Sequence, residues 1–279
     1  MANKVDEIVA RRPTKEFAAN LSAEKIAEFR QSGFTRIDRI TTDEEVDWLR
    51  ELYDLLFSGE IKLLPGALVT DVSNPIENQR GLRISQVLRP EHFIPALRET
   101  QFCRNGRAIA TQLLGTGAEV EYWGHMVRKA PRDTESVPWH QDEGYSDPSF
   151  DYDAFSCWMP LDPATIESGC MSFIPGSHKG HVLRHGFAGG DPTITTLVLE
   201  EPVDLERAVP QPVAIGGASF HHNRTLHGSG PNTSERPRRA YVNEWQAKPV
   251  ARAKPHERDW YWTRQKMLRE KNNKLEVAI

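Results

Sequence analysis

Two textures divide the chain. Up to about residue 115, apolar positions return at helical spacing. Ser22 stands as an N-cap ahead of Ile26 and Phe29, Leu21 can staple onto Ile26, and Gly33 suits the C-terminal stop. Thr42 with Glu45 is a capping-box signature, after which Val46, Leu49, Leu52 or Tyr53, and Leu56 recur on one face. Residues from about 91 to 115 read as a further helix ended by Gly115 and Gly117. From about Glu119 the runs shorten to VEYWGHMVRK, FSCWMPL, CMSFIPG, TTLVLE, PVAI and RAYVNEW, separated by Pro, Gly, Asp and Ser. Short apolar runs between such breakers are the pattern of a β-sandwich or barrel.

The expected architecture is mainly β with helical additions in a single domain. An N-terminal helical layer with loops covers 1–118, a jelly-roll, cupin-like barrel 119–246, and a C-terminal basic helical tail 247–279. The tail carries Trp260, Tyr261 and Trp262, which predicts a solvated helix packing its aromatic residues on the barrel or on a second copy of the chain.

Composition narrows the function more than the fold. With 38% hydrophobic and 27% charged residues the 279-residue chain is of globular type. A formal net charge of −4 and no dense Lys/Arg block in its body argue against nucleic acid as the main partner and make a small molecule the default. The opening residues carry scattered charges and no apolar run fit for a signal peptide or membrane span, so a cytoplasmic protein is expected. Cys103, Cys157 and Cys170 are odd in number and form no C-x-x-C, which indicates neither a disulfide framework nor a thiolate zinc site.

Candidate chemistry sits in VPWHQDEGY. His140 and Asp142 are two residues apart, so an extended strand presents an imidazole and a carboxylate on one face. Two His and one carboxylate on one octahedral face are the ligand set of non-haem iron(II) oxygenases. An H-x-D triplet alone is weak. The segment FHHNRTLHGSGPNTSERPRRAYV adds a His in a Gly-rich loop and an Arg at the start of a strand.

On these motifs, on CMSFIPGSHKGH and on the Phe29–Phe34 helix exit, the chain resembles the phytanoyl-CoA hydroxylase-like family over most of residues 20–245. That family is one of iron(II)/2-oxoglutarate oxygenases built on a double-stranded β-helix. The resemblance implies iron held by His140, Asp142 and His227, with Arg238, eleven positions after His227, anchoring the distal carboxylate of 2-oxoglutarate and Ser229 assisting. A planar guanidinium suits that anchor because it grips a carboxylate through two parallel hydrogen bonds. Arg236 and Arg239 are rivals, but Arg236 lies in the turn before Pro237 and Arg239 should face away from Arg238. His221 or His222 could stand in for His227, although the Gly-Ser context favours the latter. Trp158, His125 and Gln141 are further co-substrate candidates, with core packing the competing reading for Trp158 and His125. Gln86 is a candidate for the substrate, with a surface amide as the plainer reading.

The implied reaction consumes O2 and decarboxylates 2-oxoglutarate to succinate and CO2 while hydroxylating a small molecule, with ascorbate a possible stimulant. Asp142 favours hydroxylation over halogenation, since related halogenases replace that carboxylate by a small residue. The GGAS turn and the tail beyond residue 246 depart from the family pattern and point away from a fatty acyl-CoA. Specificity is expected from residues 58–90 and from Leu183–Val209, while Arg83, Lys129 and Arg132 could meet an acidic substrate group. The rival readings are a cupin-type iron dioxygenase without 2-oxoglutarate and a non-catalytic jelly-roll binding protein.

Overall fold

The computed structural model describes residues 2–58, 69–71, 84–115, 121–192 and 196–277. Its helices are α1 (Ala2–Ala10), α2 (Ala23–Ser32), α3 (Asp43–Phe57), α4 (Gln101–Leu114) and α5 (Asp259–Val277). The first strands are β1 (Phe34–Ile37), β2 (Val69–Asp71), β3 (Ile84–Leu88), β4 (Glu121–Lys129) and β5 (Val137–His140). Next come β6 (Phe150–Asp151), β7 (Ala154–Pro160), β8 (Met171–Phe173), β9 (His185–Phe187) and β10 (Leu197–Leu199). The last are β11 (Val209–Gln211), β12 (Ala218–His222), β13 (His227–Ser229), β14 (Arg238–Gln246) and β15 (Val250–Ala251).

The larger sheet orders its strands β1-β12-β7-β14-β4-β3-β2, and a smaller one β11-β8-β13-β5. All their pairings are antiparallel. Between these two sheets lies the interior of the expected double-stranded β-helix.

Period-two alternation gives the larger sheet two buried faces. On β7, Phe155, Cys157 and Met159 join one apolar cluster while Trp158 joins another. On β14, Tyr241 and Trp245 go with the first and Ala240 and Val242 with the second. The first cluster also holds Phe29 of α2, Leu49, Leu52 and Tyr53 of α3, and Phe102 and Ile109 of α4, so the helical layer covers the outer face. The second, with Phe34 and Phe173, lies between the sheets. A strand buried on both faces loses its alternation in sequence, which is why FSCWMPL reads as a continuous apolar run.

The helix starts follow the expected chemistry, with one difference. Ser22 accepts from the Lys25 amide, and Gly33, at φ 87°, closes α2 in a left-handed conformation. Thr42 accepts from the Glu45 amide at the start of α3. The Glu45 carboxylate, however, reaches another helix. It is 1% exposed and accepts from the amides of Gln101 at 2.6 Å and Phe102 at 2.8 Å, the first turn of α4, and from Thr41 Oγ1 at 2.6 Å. The helix expected over 91–115 is also broken. Pro90 and Pro95 open separate 3-10 turns, and Thr100 caps α4 by accepting from the Cys103 amide. Gly115 ends α4 as expected, while Gly117 lies outside the described residues.

All three cysteines are buried and free, and no described helix is long and apolar enough to cross a membrane. In the tail, Trp260 and Tyr261 pack with Leu197, Tyr145, Val182 and Phe187 of the same chain, and Trp262 remains half exposed.

Removing the Glu45 carboxylate strands three donors at a helix junction, so Glu45→Ala should lower unfolding stability by about 3 kcal/mol. Chemical denaturation measures this, and a loss below about 1 kcal/mol would show that the carboxylate does not hold α3 to α4.

Candidate active site

A cavity of about 450 Å³ opens between the two sheets and receives His140, Asp142 and His227. His140 ends β5, Gln141 continues the extended backbone at φ −120° and ψ 130°, and Asp142 begins a 3-10 turn. The strand step therefore turns His140 and Asp142 to one side and Gln141 to the other. β13 runs antiparallel to β5 with His227 in register with His140, and the two ring centroids are 4.3 Å apart.

The imidazoles are held in one sense. His140 Nδ1 lies 2.8 Å from the Pro138 carbonyl and His227 Nδ1 2.8 Å from that of Thr225. A proton on Nδ1 leaves each Nε2 lone pair free, and both Nε2 atoms stand 3.4 Å from Asp142 Oδ1. One ligand atom from each of the three residues lies within 4.8 Å of the others, a spacing that a single ion can bridge.

His221 occupies the same cluster in another way. Its Nε2 is 3.2 Å from Asp142 Oδ2, the oxygen that also accepts from Ser156 Oγ at 2.9 Å. Thus Oδ1 faces the two imidazoles while Oδ2 is held from behind. Burial, then the neighbouring charge of His227, pushes His221 down to about 4, so it is a neutral donor near pH 7. Burial opposes charge on His227 too, but the Asp142 carboxylate outweighs it and raises that pKa. Its neighbour His222 points instead to the helical layer, against Phe29. Sequence reasoning had not found Ser156; its only signal is the alternation that sets it opposite Phe155 and Cys157.

Arg238 lies deeper in the cavity, 1% exposed, with Nε and Nη1 buried and without hydrogen-bond partners. Its Cζ stands 5.2 Å from the centre of the Trp158 ring. Ser229 Oγ is likewise buried and unpartnered. Burial brings the Arg238 guanidinium down to about 10, which still leaves it charged at neutral pH. Arg239 faces the other way, where Asp162 and Asp54 pair with it at 2.8 Å each. Lys129, in register with Arg238, donates to the carbonyls of Ser229, Gly230 and Glu135, and burial with the Arg238 charge pushes it down to about 6. With the Lys129 donors taken up by three carbonyls, Arg238 is the cation of this end with donors left for a ligand.

The remaining candidates divide. Trp158, His125 and Gln86 line the cavity, and Gln86 is 8% exposed rather than a surface amide. Gln141 does not line it. Fully buried, it donates to the Arg224 carbonyl at 2.7 Å and accepts from the Leu183 amide at 2.7 Å. The alternation that turns its neighbours into the cavity turns Gln141 out of it, where it ties down the Leu183–Val209 insert. Lys129 spends its donors on carbonyls, and Arg132 pairs with Glu235 at the surface, so neither meets an acidic substrate group. Arg83, like most of residues 58–90, lies outside the described residues.

Residues 29–240 match the phytanoyl-CoA dioxygenase (PhyH) family. The chain belongs to that family. It is a dioxygenase dependent on iron(II) and 2-oxoglutarate. EvdO2 from Micromonospora carbonacea var. aurantiaca, solved in complex with 2-oxoglutarate, is 36% identical at a TM-score of 0.76, covering 88% of this chain and 99% of its own. A probable alpha-ketoglutarate-dependent hypophosphite dioxygenase of Stutzerimonas stutzeri is 26% identical over 218 residues, 76% of this chain and 74% of its own. Phytanoyl-CoA dioxygenase domain-containing protein 1 of Bos taurus is 35% identical over 134 residues, 46% of this chain and 45% of its own.

The dioxygenase has a site that fits both groups. Paired Nε2 atoms facing a carboxylate suit iron(II), and a buried guanidinium lacking a counter-ion suits the carboxylate of 2-oxoglutarate. Gln141→Leu should leave 2-oxoglutarate affinity within about twofold by calorimetry while lowering stability by about 2 kcal/mol. A large loss of affinity with unchanged stability would return Gln141 to the co-substrate slot.

Proposed function

We propose that the PhyH dioxygenase holds iron(II) with His140 Nε2, Asp142 Oδ1 and His227 Nε2, anchors 2-oxoglutarate with Arg238, and hydroxylates a small molecule in the cavity between the sheets. The observation that carries this reading is the unpaired buried Arg238 in the same cavity as the three-residue cluster. A cupin-type iron dioxygenase without 2-oxoglutarate would leave that guanidinium buried and uncompensated.

Iron(II), held by these three residues, would bring 2-oxoglutarate and O2 to react, with O2 the oxidant both for decarboxylation of 2-oxoglutarate and for replacement of a substrate C–H by C–OH. The rest falls to the chain. Arg238 and Ser229 hold the distal carboxylate, and Trp158 lies beside the guanidinium and limits where that carboxylate can sit. His221 and Ser156 hold Asp142 Oδ2, so that Oδ1 keeps its aim while substrate and co-substrate exchange. Both sheets exclude water from the reacting C–H bond. The products are succinate, CO2 and the alcohol.

Asp142 keeps its carboxylate where a halogenase would lack one, which supports hydroxylation. We read the chain as one catalytic unit working in the cytoplasm, without a nucleic-acid or membrane partner. Self-association through the tail would use the exposed Trp262. The hypophosphite and phytanoyl-CoA in its relatives' names are chemically unlike each other, so neither is assigned to this chain.

Incubation with iron(II), ascorbate, O2 and 2-oxoglutarate should give slow succinate release that His140→Ala abolishes. No succinate from the iron-loaded protein, with or without a broad substrate panel, would sink the proposal. Arg238→Ala should weaken 2-oxoglutarate binding by up to about 3 to 5 kcal/mol and metal binding far less, because the distal carboxylate is left buried without its partner. Equal losses of both, measured by calorimetry, would mean that another residue is the anchor.

A further inference from the structure

Arg238 is the first residue of an inward-facing row. The same alternation carries Val242, Glu244 and Gln246 into the cavity. Register turns the row into levels: Val242 stands between His125 of β4 and Trp158 of β7, and Glu244 between Trp123 of β4 and Ser156 of β7. Ser156 is the residue that donates to Asp142 Oδ2, at 2.9 Å. Glu244 is thus one strand away from the support of Asp142 and, at ~3.3 Å per residue, roughly 20 Å along β14 from Arg238.

Glu244 takes no part in holding iron(II) or 2-oxoglutarate. Its side chain is 23% exposed, and among the described residues no hydrogen bond reaches its carboxyl group. The nearby His125 Nδ1 is 4.0 Å from Oε1, beyond hydrogen-bonding distance, and is itself buried without a partner. Asn223 Oδ1, on the same cavity, is also buried and unpartnered. Buried polar atoms are normally paired, so His125 Nδ1 and Asn223 Oδ1, on the same cavity as the partly exposed Glu244 carboxyl, mark a place where a ligand supplies the missing partners. Trp123 adds a flat apolar surface, its ring centroid 5.6 Å from that of His125. Arg89 stands 6.0 Å above that ring, from a backbone at φ 51° that a residue with a Cβ seldom adopts.

The polarity of this wall decides which substrate groups it can take. Burial, then the negative charge of Asp142, holds the Glu244 carboxyl well above the usual carboxylate range, with Arg89 opposing, and burial pushes His125 down to about 4. A substrate carboxylate would add a negative charge beside Glu244 and Asp142, whereas a hydroxyl finds an acceptor oxygen in either protonation state and an ammonium draws Glu244 into its charged form.

We propose that Glu244, flanked by His125 and Trp123, selects the substrate by accepting a hydrogen bond from its hydroxyl or ammonium group while the hydrocarbon part lies on Trp123 and the reacting C–H bond faces His140, Asp142 and His227. This rests on the dioxygenase reading above and adds the class of group by which the substrate is held.

Three probes of one size separate the possibilities: cyclohexanol, cyclohexylammonium and cyclohexanecarboxylate. Their binding to the full chain loaded with zinc(II) and 2-oxoglutarate is read by saturation-transfer NMR, which needs no turnover. The hydroxyl or the ammonium probe should bind in preference to the carboxylate, and Glu244→Leu should weaken that binding by about tenfold. The isosteric Glu244→Gln distinguishes the two donors, because it keeps an acceptor for the hydroxyl and loses the charge that an ammonium requires. Calorimetry with 2-oxoglutarate checks that each variant keeps a folded site. A carboxylate probe that binds as well as the others, donor probes that fail to bind, or a folded Glu244→Leu protein with unchanged affinity would overturn the proposal. Succinate release in the absence of any probe tests the dioxygenase reading separately.

Discussion

β14 is buried on both faces, and its alternation decides which charges the protein meets itself and which it leaves to a ligand. Arg239 turns outward and finds Asp162 and Asp54. Arg238, one residue earlier, turns inward and finds no carboxylate among the described residues. A register slip by one residue would exchange these two arginines, pairing Arg238 and stranding Arg239. The apolar residues of the same strand hold the register, because Tyr241 and Trp245 fit only the helical side and Ala240 and Val242 only the barrel interior. The packing of α3 and α4 on the outer face therefore bears directly on where the inner charge points.

The metal cluster follows a similar logic at shorter range. Two carbonyls fix the Nδ1 sides of His140 and His227, while Ser156 and His221 fix one oxygen of Asp142. What remains exposed is a set of acceptors converging on one point. Burial and the mutual repulsion of lone pairs work against such an arrangement, and a bound cation would relieve both.

Several residues take roles other than those their local sequence suggests. Glu45 has the spacing of a capping box but caps α4, since a buried carboxylate gains more from two amides at a helix start across the interface than from its own backbone. Gln141 lies between two cluster residues and faces away from both. The tail, which has the composition of a solvated helix, joins the wall of the site: Arg258 pairs with buried Glu143 at 2.8 Å, Trp260 donates to the Gly144 carbonyl, and Arg264 stands 4.8 Å over Tyr145. Each is a long-range contact between segments far apart in sequence.

By itself the sequence determined the features that depend on near neighbours. Capping residues marked the starts of α2 and α3, glycine stops the ends of α2 and α4, i and i+2 spacing put His140 beside Asp142, and alternation set Arg238 and Arg239 on opposite faces of β14. Motif resemblance then supplied His227 and 2-oxoglutarate. Tertiary structure alone decided what depends on which strands become neighbours. The β12–β7 pairing brings Ser156 beside His221 behind Asp142, and the β14–β4 pairing sets Glu244 against Trp123 with His125 one level away. A chain carries its local periodicities in its own order of residues, but the register between distant strands is settled only when both faces of the sheet are buried at once.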